Sequence, residues 1–398
     1  EAWKRVKAGG GCGGVDSKTI EKTEEKLGEN LYKLWNRMSS GTYFPSPALL
    51  CDIPKGEGKT RTLGIPTVLD RVAQTVVKNL LEPRLEAIFH PNSYGYRPHK
   101  SATEAVGVAR KRCWKTDWVI DLDIQGFFDS ISHGKLIELV QKQIPEKPEK
   151  WMLLYIERWL KVPGQRGNGE QIARTEGTPQ GGVISPLLAN LYLHEVFDSW
   201  LEENFPTLTF ERYADDAIIH CKTEAQAEYV LLCIRKRFEE WGLTLHPEKT
   251  KIVFCKDDNR KGENQNTKFT FLGFEFRARK SRNQNTGQYF NGFLPAVSPK
   301  ALKQIRYSIR SWKLTKGMSL SLQEVADKIN PVVRGWINYY GTYTRPAMLQ
   351  VLRQVDLSIA LWARRKYKAL HRNISGALKW LSAIALRNPA LFAHWSRK

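Results

Sequence analysis

Residues 208–220, Leu-Thr-Phe-Glu-Arg-Tyr-Ala-Asp-Asp-Ala-Ile-Ile-His, constrain this chain more than any other stretch. Two short apolar runs, Leu208–Arg212 and Ala217–His220, flank Tyr213-Ala214-Asp215-Asp216, so the segment reads as a hairpin with adjacent carboxylates at its tip. Upstream, Trp118-Val119-Ile120-Asp121-Leu122-Asp123-Ile124 alternates like another strand, with Val119, Asp121 and Asp123 on one face. An acidic pair in a turn is ordinary by itself, because Asp favours turns. Carboxylates gathered from two strands are not, since like charges this close repel unless cations lie between them. The pattern predicts divalent metal binding, and two Mg²⁺ ions about 4 Å apart are the usual device for in-line phosphoryl or nucleotidyl transfer.

The charge of the chain is unevenly spread. From Arg277 to Lys398, 23 Lys or Arg stand against three acids, Glu324, Asp327 and Asp356, whereas residues 1–276 carry 39 basic and 38 acidic residues. A near-neutral body followed by a strongly cationic end fits an anionic polymer held at that end, with salt-dependent affinity. The basic residues spread over several helical patterns, which argues against a single membrane-surface helix. At 398 residues, 41% of them apolar, the chain can bury two or three cores. Cysteines 12, 51, 113, 221, 233 and 255 show no CxxC spacing and read as reduced cytosolic thiols. With no signal peptide and no membrane-length apolar run, a cytoplasmic protein without a membrane partner is expected. The chain opens at Glu1 without Met, as expected where the natural N-terminus is missing.

Along the chain, helices are predicted from Asp70 to about Leu81, Ser101 to Cys113, His133 to Gln143 and Lys150 to Leu160. Residues 117–131 form the acid-bearing strand, and the glycine-rich Pro163–Glu170 reads as a hairpin tip. Ser185-Pro186 opens an apolar helix to about Leu201, and Thr223–Trp241 is amphipathic through Ala227, Val230, Leu231, Ile234 and Phe238. Strands follow at 251–255 and 268–277. This order is the α+β pattern of a split βαβ arrangement on an antiparallel sheet. After Pro299 the period becomes helical, over Ala301–Lys313, Ser321–Tyr340 and Pro346–Leu370, with Ser321 and Glu324 at capping-box spacing.

An ordered series of blocks resembles one family. These are Gly14–Ile20, Arg61–Thr67 with Asp70-Arg71, Ser93–Pro98, Asp121–Asp129, Gly177–Leu188, Tyr213–Asp216, His246–Lys251, Phe271–Phe274, and Asn330-Pro331 with Arg334–Tyr340. Together they resemble the reverse transcriptases encoded by bacterial group II introns, also called maturases, over nearly the whole chain. The resemblance implies a right-hand polymerase. An N-terminal extension and fingers would span 1–116, and a palm 117–297 with a fingers insertion near 145–190. A helical thumb would cover 298–370, and a short basic nucleic-acid-binding segment 371–398. Thr62 stands where the family usually has proline, and no nuclease module is expected behind Trp395.

By the same resemblance Asp123, Asp215 and Asp216 hold two Mg²⁺ ions, with Mn²⁺ as the alternative, and Lys249 protonates the pyrophosphate. Asp121 is expected to be structural or to support the metal ligands from behind. Lys59 and Arg61 neutralise the triphosphate, Arg71 and Arg97 contact nucleotide or template, and Gln180 packs against both. Phe128 meets the sugar of the incoming nucleotide and excludes a 2′-hydroxyl. Phe271, Leu272, Gly273 and Phe274 hold the primer end. Lys300, Lys303, Arg306, Arg310 and Lys313 form a phosphate-tracking stripe, and Arg364 and Arg365 belong to a second basic cluster. Trp336 reads as core. Implied partners are an RNA template, structured intron RNA, a DNA or RNA primer, deoxynucleoside triphosphates and target DNA, in a nucleoid-associated setting. Two alternatives stand beside this reading: an intron-free relative serving DNA repair or phage defence, and a non-catalytic RNA-binding splicing cofactor.

Overall fold

The computed structural model describes residues 1–56, 59–144, 149–262, 264–282, 285–317 and 319–395, without the side chains of 55, 56, 59 and 345. By internal contacts the chain divides into two units, residues 1–105 with 120–251 and residues 106–119 with 252–398. This division sends 252–297 with the helical end, where the segmentation expected above cuts at 297.

The first unit opens with helices α1 (Ala2–Gly9), α2 (Ile20–Glu24) and α3 (Leu27–Ser39), then hairpin strands β1 (Ala48–Gly56) and β2 (Lys59–Ile65). Helix α4 (Val68–Ile88) starts where the Thr67 hydroxyl accepts from the Asp70 amide, and it runs past the predicted stop at Leu81 through Pro83. A proline there forfeits a hydrogen bond. The stripe Val77, Leu81 and Leu85, each 0% exposed, keeps the helix on the core regardless. Helix α5 (Ala102–Cys113) begins at Ser101, whose hydroxyl accepts from the Glu104 amide.

Strand β3 (Trp118–Asp123) is shorter than the predicted acid-bearing strand. Gly126, at φ 58°, turns the chain into the short helix α6 (Phe127–Ser130). Helices α7 (His133–Gln143) and α8 (Trp151–Lys161) follow, and β4 (Gly164–Gln165) pairs with β5 (Gln171–Ile172) at the expected hairpin tip. The apolar helix after Ser185 is broken into α9 (Ser185–Leu193), a π turn (His194–Ser199) and α10 (Trp200–Asn204). Strands β6 (Thr209–Tyr213) and β7 (Asp216–Cys221) are the predicted hairpin, and α11 (Glu224–Glu240) is capped by the Thr223 hydroxyl. The chain enters β8 (Lys251–Phe254), giving the strand order β6-β7-β3-β8. The other sheet of this unit is ordered β2-β1-β4-β5.

In the second unit, the predicted strand 268–277 is instead a hairpin. Strand β9 (Lys268–Phe271) turns through Leu272 and Gly273 into β10 (Phe274–Arg282), which pairs with β11 (Tyr289–Val297). Leu272 and Gly273 have φ of 50° and 79°, the two positive values a tight right-twisted hairpin requires. Helices α12 (Pro299–Ser311), α13 (Leu322–Tyr340), α14 (Arg345–Lys366) and α15 (Ile374–Arg387) then build one apolar core. The expected capping box forms at α13: the Ser321 hydroxyl accepts from the Glu324 amide and the Glu324 carboxylate from the Ser321 amide. Residues after 371 join this core rather than trailing from it. Asp356 accepts from His394 Nε2 at 2.8 Å and Trp395 Nε1 at 2.9 Å. Asn330, in the maturase-like block, clamps the Leu391 carbonyl and the Ala393 amide at 2.9 Å each.

Candidate active site

Strand β3 buries Val119, Ile120 and Leu122 and ends on Asp123, next to β7 in the sheet. The loop before β8 wraps that end. The Gln125 amide donates to the Thr244 carbonyl and the His246 amide to the Asp123 carbonyl, both at 2.8 Å. This wrap brings Lys249 Nζ to 2.5 Å from Asp123 Oδ2. At the β6–β7 tip Tyr213 pairs with Asp216, and Ala214 takes φ 56°. A non-glycine residue held there stores strain of about 1–3 kcal/mol, and such strain gathers at functional turns. The turn is backed by Gly95: a Cβ on Gly95 would lie 2.4 Å from the Ala214 nitrogen.

These carboxylates act on one another. Burial pushes the Asp121 carboxyl up to about 7, with Asp216 and Asp123 adding to the rise and Lys251 opposing it. That is the signature of acids converging on one point. Among the described residues no group of three His, Cys, Asp or Glu is drawn together tightly enough to hold an ion as it stands. The donor chemistry nevertheless suits a hard divalent cation, being all carboxylate oxygen. One positive charge, the Lys249 ammonium, already sits on the Asp123 oxygen.

A second cluster joins the Gly177–Gly181 turn to α6 and β2. The Thr178 amide donates to the Phe128 carbonyl and the Gly177 amide to the Ile131 carbonyl, both at 2.7 Å. Gly177, at φ 79°, has no room for a side chain, because a Cβ would lie 2.8 Å from the Asp129 and Phe128 backbone. Gly181 repeats the device against β2, where a Cβ would lie 2.7 Å from the Gly64 carbonyl oxygen. Between them Gln180 accepts from Arg61 Nε and donates to Asp129 Oδ2 at 3.1 Å. Arg61, Gln180 and Phe128, all selected from the sequence, therefore come together, with Phe128 only 8% exposed. The side chain of Lys59 lies outside the described residues.

Two arginines selected with them are engaged elsewhere. Arg97 ion-pairs with Glu86 at 2.9 Å, donates to the His90 and Ser93 carbonyls, and lies over the Phe89 ring. Arg71 donates to the carbonyls of Gly10 and Cys12 at 3.0 and 2.5 Å, fastening the N-terminal glycine loop. Sequence reasoning missed Tyr96, beside Arg97. Its ring is half exposed and packs near Tyr213, and burial raises its phenol, with Asp215 adding to the rise and Arg61 opposing it. The only available signal was its place in the Ser93–Pro98 block.

In the second unit, Phe271 and Phe274 are core, whereas Leu272 and Gly273 form the turn between them. Tyr339 donates to the Leu272 carbonyl at 2.8 Å, and Tyr340 closes over Gly273. Lys300, Lys303, Arg306 and Arg310 are exposed along α12, opposite Ala301, Ile305 and Ile309. Lys313 falls beyond the end of α12, at φ 47°, and so leaves the helical stripe. Arg365 is exposed, whereas Arg364 donates to the His371 carbonyl at 3.3 Å. Trp336 stacks on Trp312 with ring centroids 5.7 Å apart. No helix among the described residues is long and apolar enough to cross a membrane.

Comparison with known proteins matches residues 53–276, more than half of the chain, to the family described as "Reverse transcriptase (RNA-dependent DNA polymerase)". Residues 302–378 match "Group II intron, maturase-specific domain". Protein YkfC of Escherichia coli K12 is 32% identical over 308 residues, covering 68% of this chain and 77% of that one. The group II intron-encoded protein LtrA of Lactococcus lactis subsp. cremoris is 37% identical over 169 residues, covering 42% of this chain and 28% of LtrA. A solved structure of telomerase from Candida albicans, in complex with a fragment of telomeric RNA, aligns with 95% of this chain and 68% of its own at a TM-score of 0.49 and 12% identity.

Proposed function

The chain belongs to the reverse transcriptase family and carries the group II intron maturase-specific domain behind it, and from that membership we propose that it extends a primer along an RNA template with deoxynucleoside triphosphates and also grips structured intron RNA. The observation that carries the reading is the adjacency of β3 and β7 in the sheet, which ends one strand on Asp123 and starts the other on Asp216, with both carboxylates bearing on Asp121. Asp123, Asp215 and Asp216 are the residues that would hold two divalent cations. When bound, such ions supply charge neutralisation for the attacking hydroxyl and the leaving pyrophosphate.

The chain's own groups do the rest. Arg61, oriented by Gln180, presents a guanidinium for the triphosphate, and Gln180 is itself fixed by Asp129. The backbone around Gly177 and Gly181 is close-packed, so nucleotide and template meet a surface that does not yield. The Phe128 ring is the proposed barrier to a ribose 2′-hydroxyl. Lys249, whose ammonium donates to Asp123 Oδ2, holds a proton beside the carboxylates that would hold the cations, where it would be available to the leaving phosphate. The exposed face of α12 tracks phosphates rather than reading bases. A DNA or RNA primer and target DNA complete the proposed set of partners. The intact set of acids weighs against a purely non-catalytic splicing cofactor.

Primer extension by the purified chain on a long RNA template, with dNTPs and Mg²⁺, tests this. DNA product from the parent and none from Asp215→Ala is the expected result. Equal product from both sinks the assignment.

A further inference from the structure

The catalytic turn makes an unusual demand on its support. Two consecutive carboxylates follow an alanine at φ 56°, so repulsion and backbone strain both work to open it. Close to this turn lies a buried cation that the proposed chemistry does not use. Arg212 on β6 is 1% exposed, yet its guanidinium is fully engaged in a directed way. Nε and Nη2 donate to the two oxygens of Asp198, at 2.7 and 2.6 Å. Nη1 donates to Asn190 Oδ1 and to the carbonyl of Ala214, each at 3.0 Å. The bidentate pair fixes the plane of the guanidinium, which leaves one nitrogen aimed at the peptide immediately before Asp215.

The partners are held as firmly as the arginine. Asp198 is 0% exposed; burial works hardest against its ionisation, but the charge and hydrogen bonds of Arg212, with His194 adding, together outweigh it and keep the carboxyl below the ordinary range. Asn190 and Asp198 lie eight residues apart, which in a regular α-helix would rotate them by roughly 80° about the axis. The π turn His194–Ser199 advances less per residue and brings both side chains onto one guanidinium. Asn190 also donates to the Gly95 carbonyl at 2.7 Å, and Gly95 is the residue whose backbone abuts the Ala214 nitrogen. Backbone bonds from Arg212 to Asn92 and from Tyr94 to Arg212 close the frame on the other side.

We propose that Arg212, locked by Asp198 and Asn190, is a positioning residue that holds the Ala214–Asp215 peptide so that Asp215 and Asp216 are presented with Asp123 to divalent cations. A buried ion pair kept only for stability would need no strut to this carbonyl, since apolar replacements of such pairs are often neutral. Lysine could keep the charge opposite Asp198 but has no fork with which to reach Ala214 at the same time. The proposal rests on the polymerase reading above, so its test includes a readout that needs no polymerisation.

Wild type, Arg212→Lys, Asn190→Ala and Asp215→Ala proteins are compared by Mn²⁺ titration followed by electron paramagnetic resonance, without nucleotide or RNA. Single-nucleotide incorporation, RNA affinity and thermal melting are measured in parallel. Arg212→Lys is expected to lose about 100-fold in kcat, the scale of a small misplacement of reacting groups, and Asn190→Ala about 10-fold. Both should bind Mn²⁺ more weakly, while KM for dNTP and RNA affinity stay within about twofold of wild type. Unchanged Mn²⁺ binding and kcat in folded variants overturns the proposal, as does a loss shared equally among kcat, KM and RNA affinity. If Arg212→Lys does not fold, Asn190→Ala, which leaves the ion pair whole, decides on the same criteria. A wild type that extends no primer sinks the polymerase reading instead, and the Mn²⁺ comparison still tests the mount.

Discussion

Around β3 and the β6–β7 turn, like charges are crowded onto backbone that touches other backbone; along α12, like charges are spread over a face that touches solvent. The acidic side carries Asp121 and Asp123 on β3, Asp215 in the turn and Asp216 on β7, and burial with the charges of Asp216 and Asp123 pushes Asp121 up to about 7. The basic side carries Lys300, Lys303, Arg306 and Arg310 at helical steps, with Ile305 and Ile309 turned inward. The first arrangement is expensive and has to be built rigidly. The second needs only an amphipathic helix. A reacting centre requires its atoms to be fixed within a fraction of an ångström, whereas neutralising phosphates requires charge density and little else.

If that contrast is right, the acidic side should fail abruptly when one atom changes and the basic side gradually. The largest effect belongs to the turn itself. Asp216→Ala should abolish primer extension on RNA while leaving RNA binding near that of wild type, measured by filter binding at fixed salt. Retained extension in a folded variant would break the comparison at its root. Next comes a residue with no charge at all. Gly177→Ala places a methyl group 2.8 Å from the backbone of Asp129 and Phe128, at φ 79°. A loss of about 100-fold in kcat/KM is expected from the displaced nucleotide floor. A loss below about threefold would show that the floor can shift without consequence, contrary to its close packing.

Phe128 sharpens the contrast by a different route. Removing its ring with Phe128→Ala should narrow the preference for dNTP over rNTP by about tenfold or more, read as a ratio of kcat/KM values. Unchanged sugar discrimination removes Phe128 from the gate and leaves it as core, the role its 8% exposure also suits. The readout is a ratio, so general damage to the fold cancels.

Much of this was legible in the residues, unevenly and for physical reasons. The β6–β7 hairpin, the start of α11 near Thr223 and the capping box at Ser321 are local features, set by nearest neighbours and periodicity. The clustering of Asp121, Asp123, Asp215 and Asp216 pointed to a cation site, whereas the choice of Asp123, Asp215 and Asp216 as its ligands came from the resemblance alone. What stayed hidden depends on contacts between segments far apart in sequence. Arg97 is a weaker candidate than Arg61 from the sequence, and Glu86 and two carbonyls hold it, yet nothing in Tyr94–Pro98 announces those partners. The turn at Leu272 and Gly273, inside the strand expected over 268–277, was legible only through the resemblance, because Leu272 gives no hint that it will take φ 50°. The π turn at His194–Ser199 was invisible for the same reason: it serves Arg212 on another element. Residues 371–398 read as a short basic segment, and the docking of Leu391, His394 and Trp395 was not legible because their partners lie 61, 38 and 39 residues earlier, at Asn330 and Asp356.

The smallest effect per residue is expected on α12, and its form matters more than its size. Changing Lys300, Lys303, Arg306 and Arg310 together to Gln keeps Ala301, Ile305 and Ile309, and hence the helix, in place. If all four neutralise phosphates, the slope of log affinity for RNA against log salt should flatten by about 3, at roughly 0.7 per contact. Each single Gln variant should remove about a quarter of that change, and kcat at saturating template should stay within about twofold of wild type. Graded, additive loss is what separates solvated charges acting by density from the acidic turn, where one substitution is expected to end the reaction. A single variant such as Arg306→Gln that removes most of the salt dependence would mean that α12 holds one shaped phosphate site. The basic face would then be as specifically built as the acidic one, and the contrast between the two regions would fall.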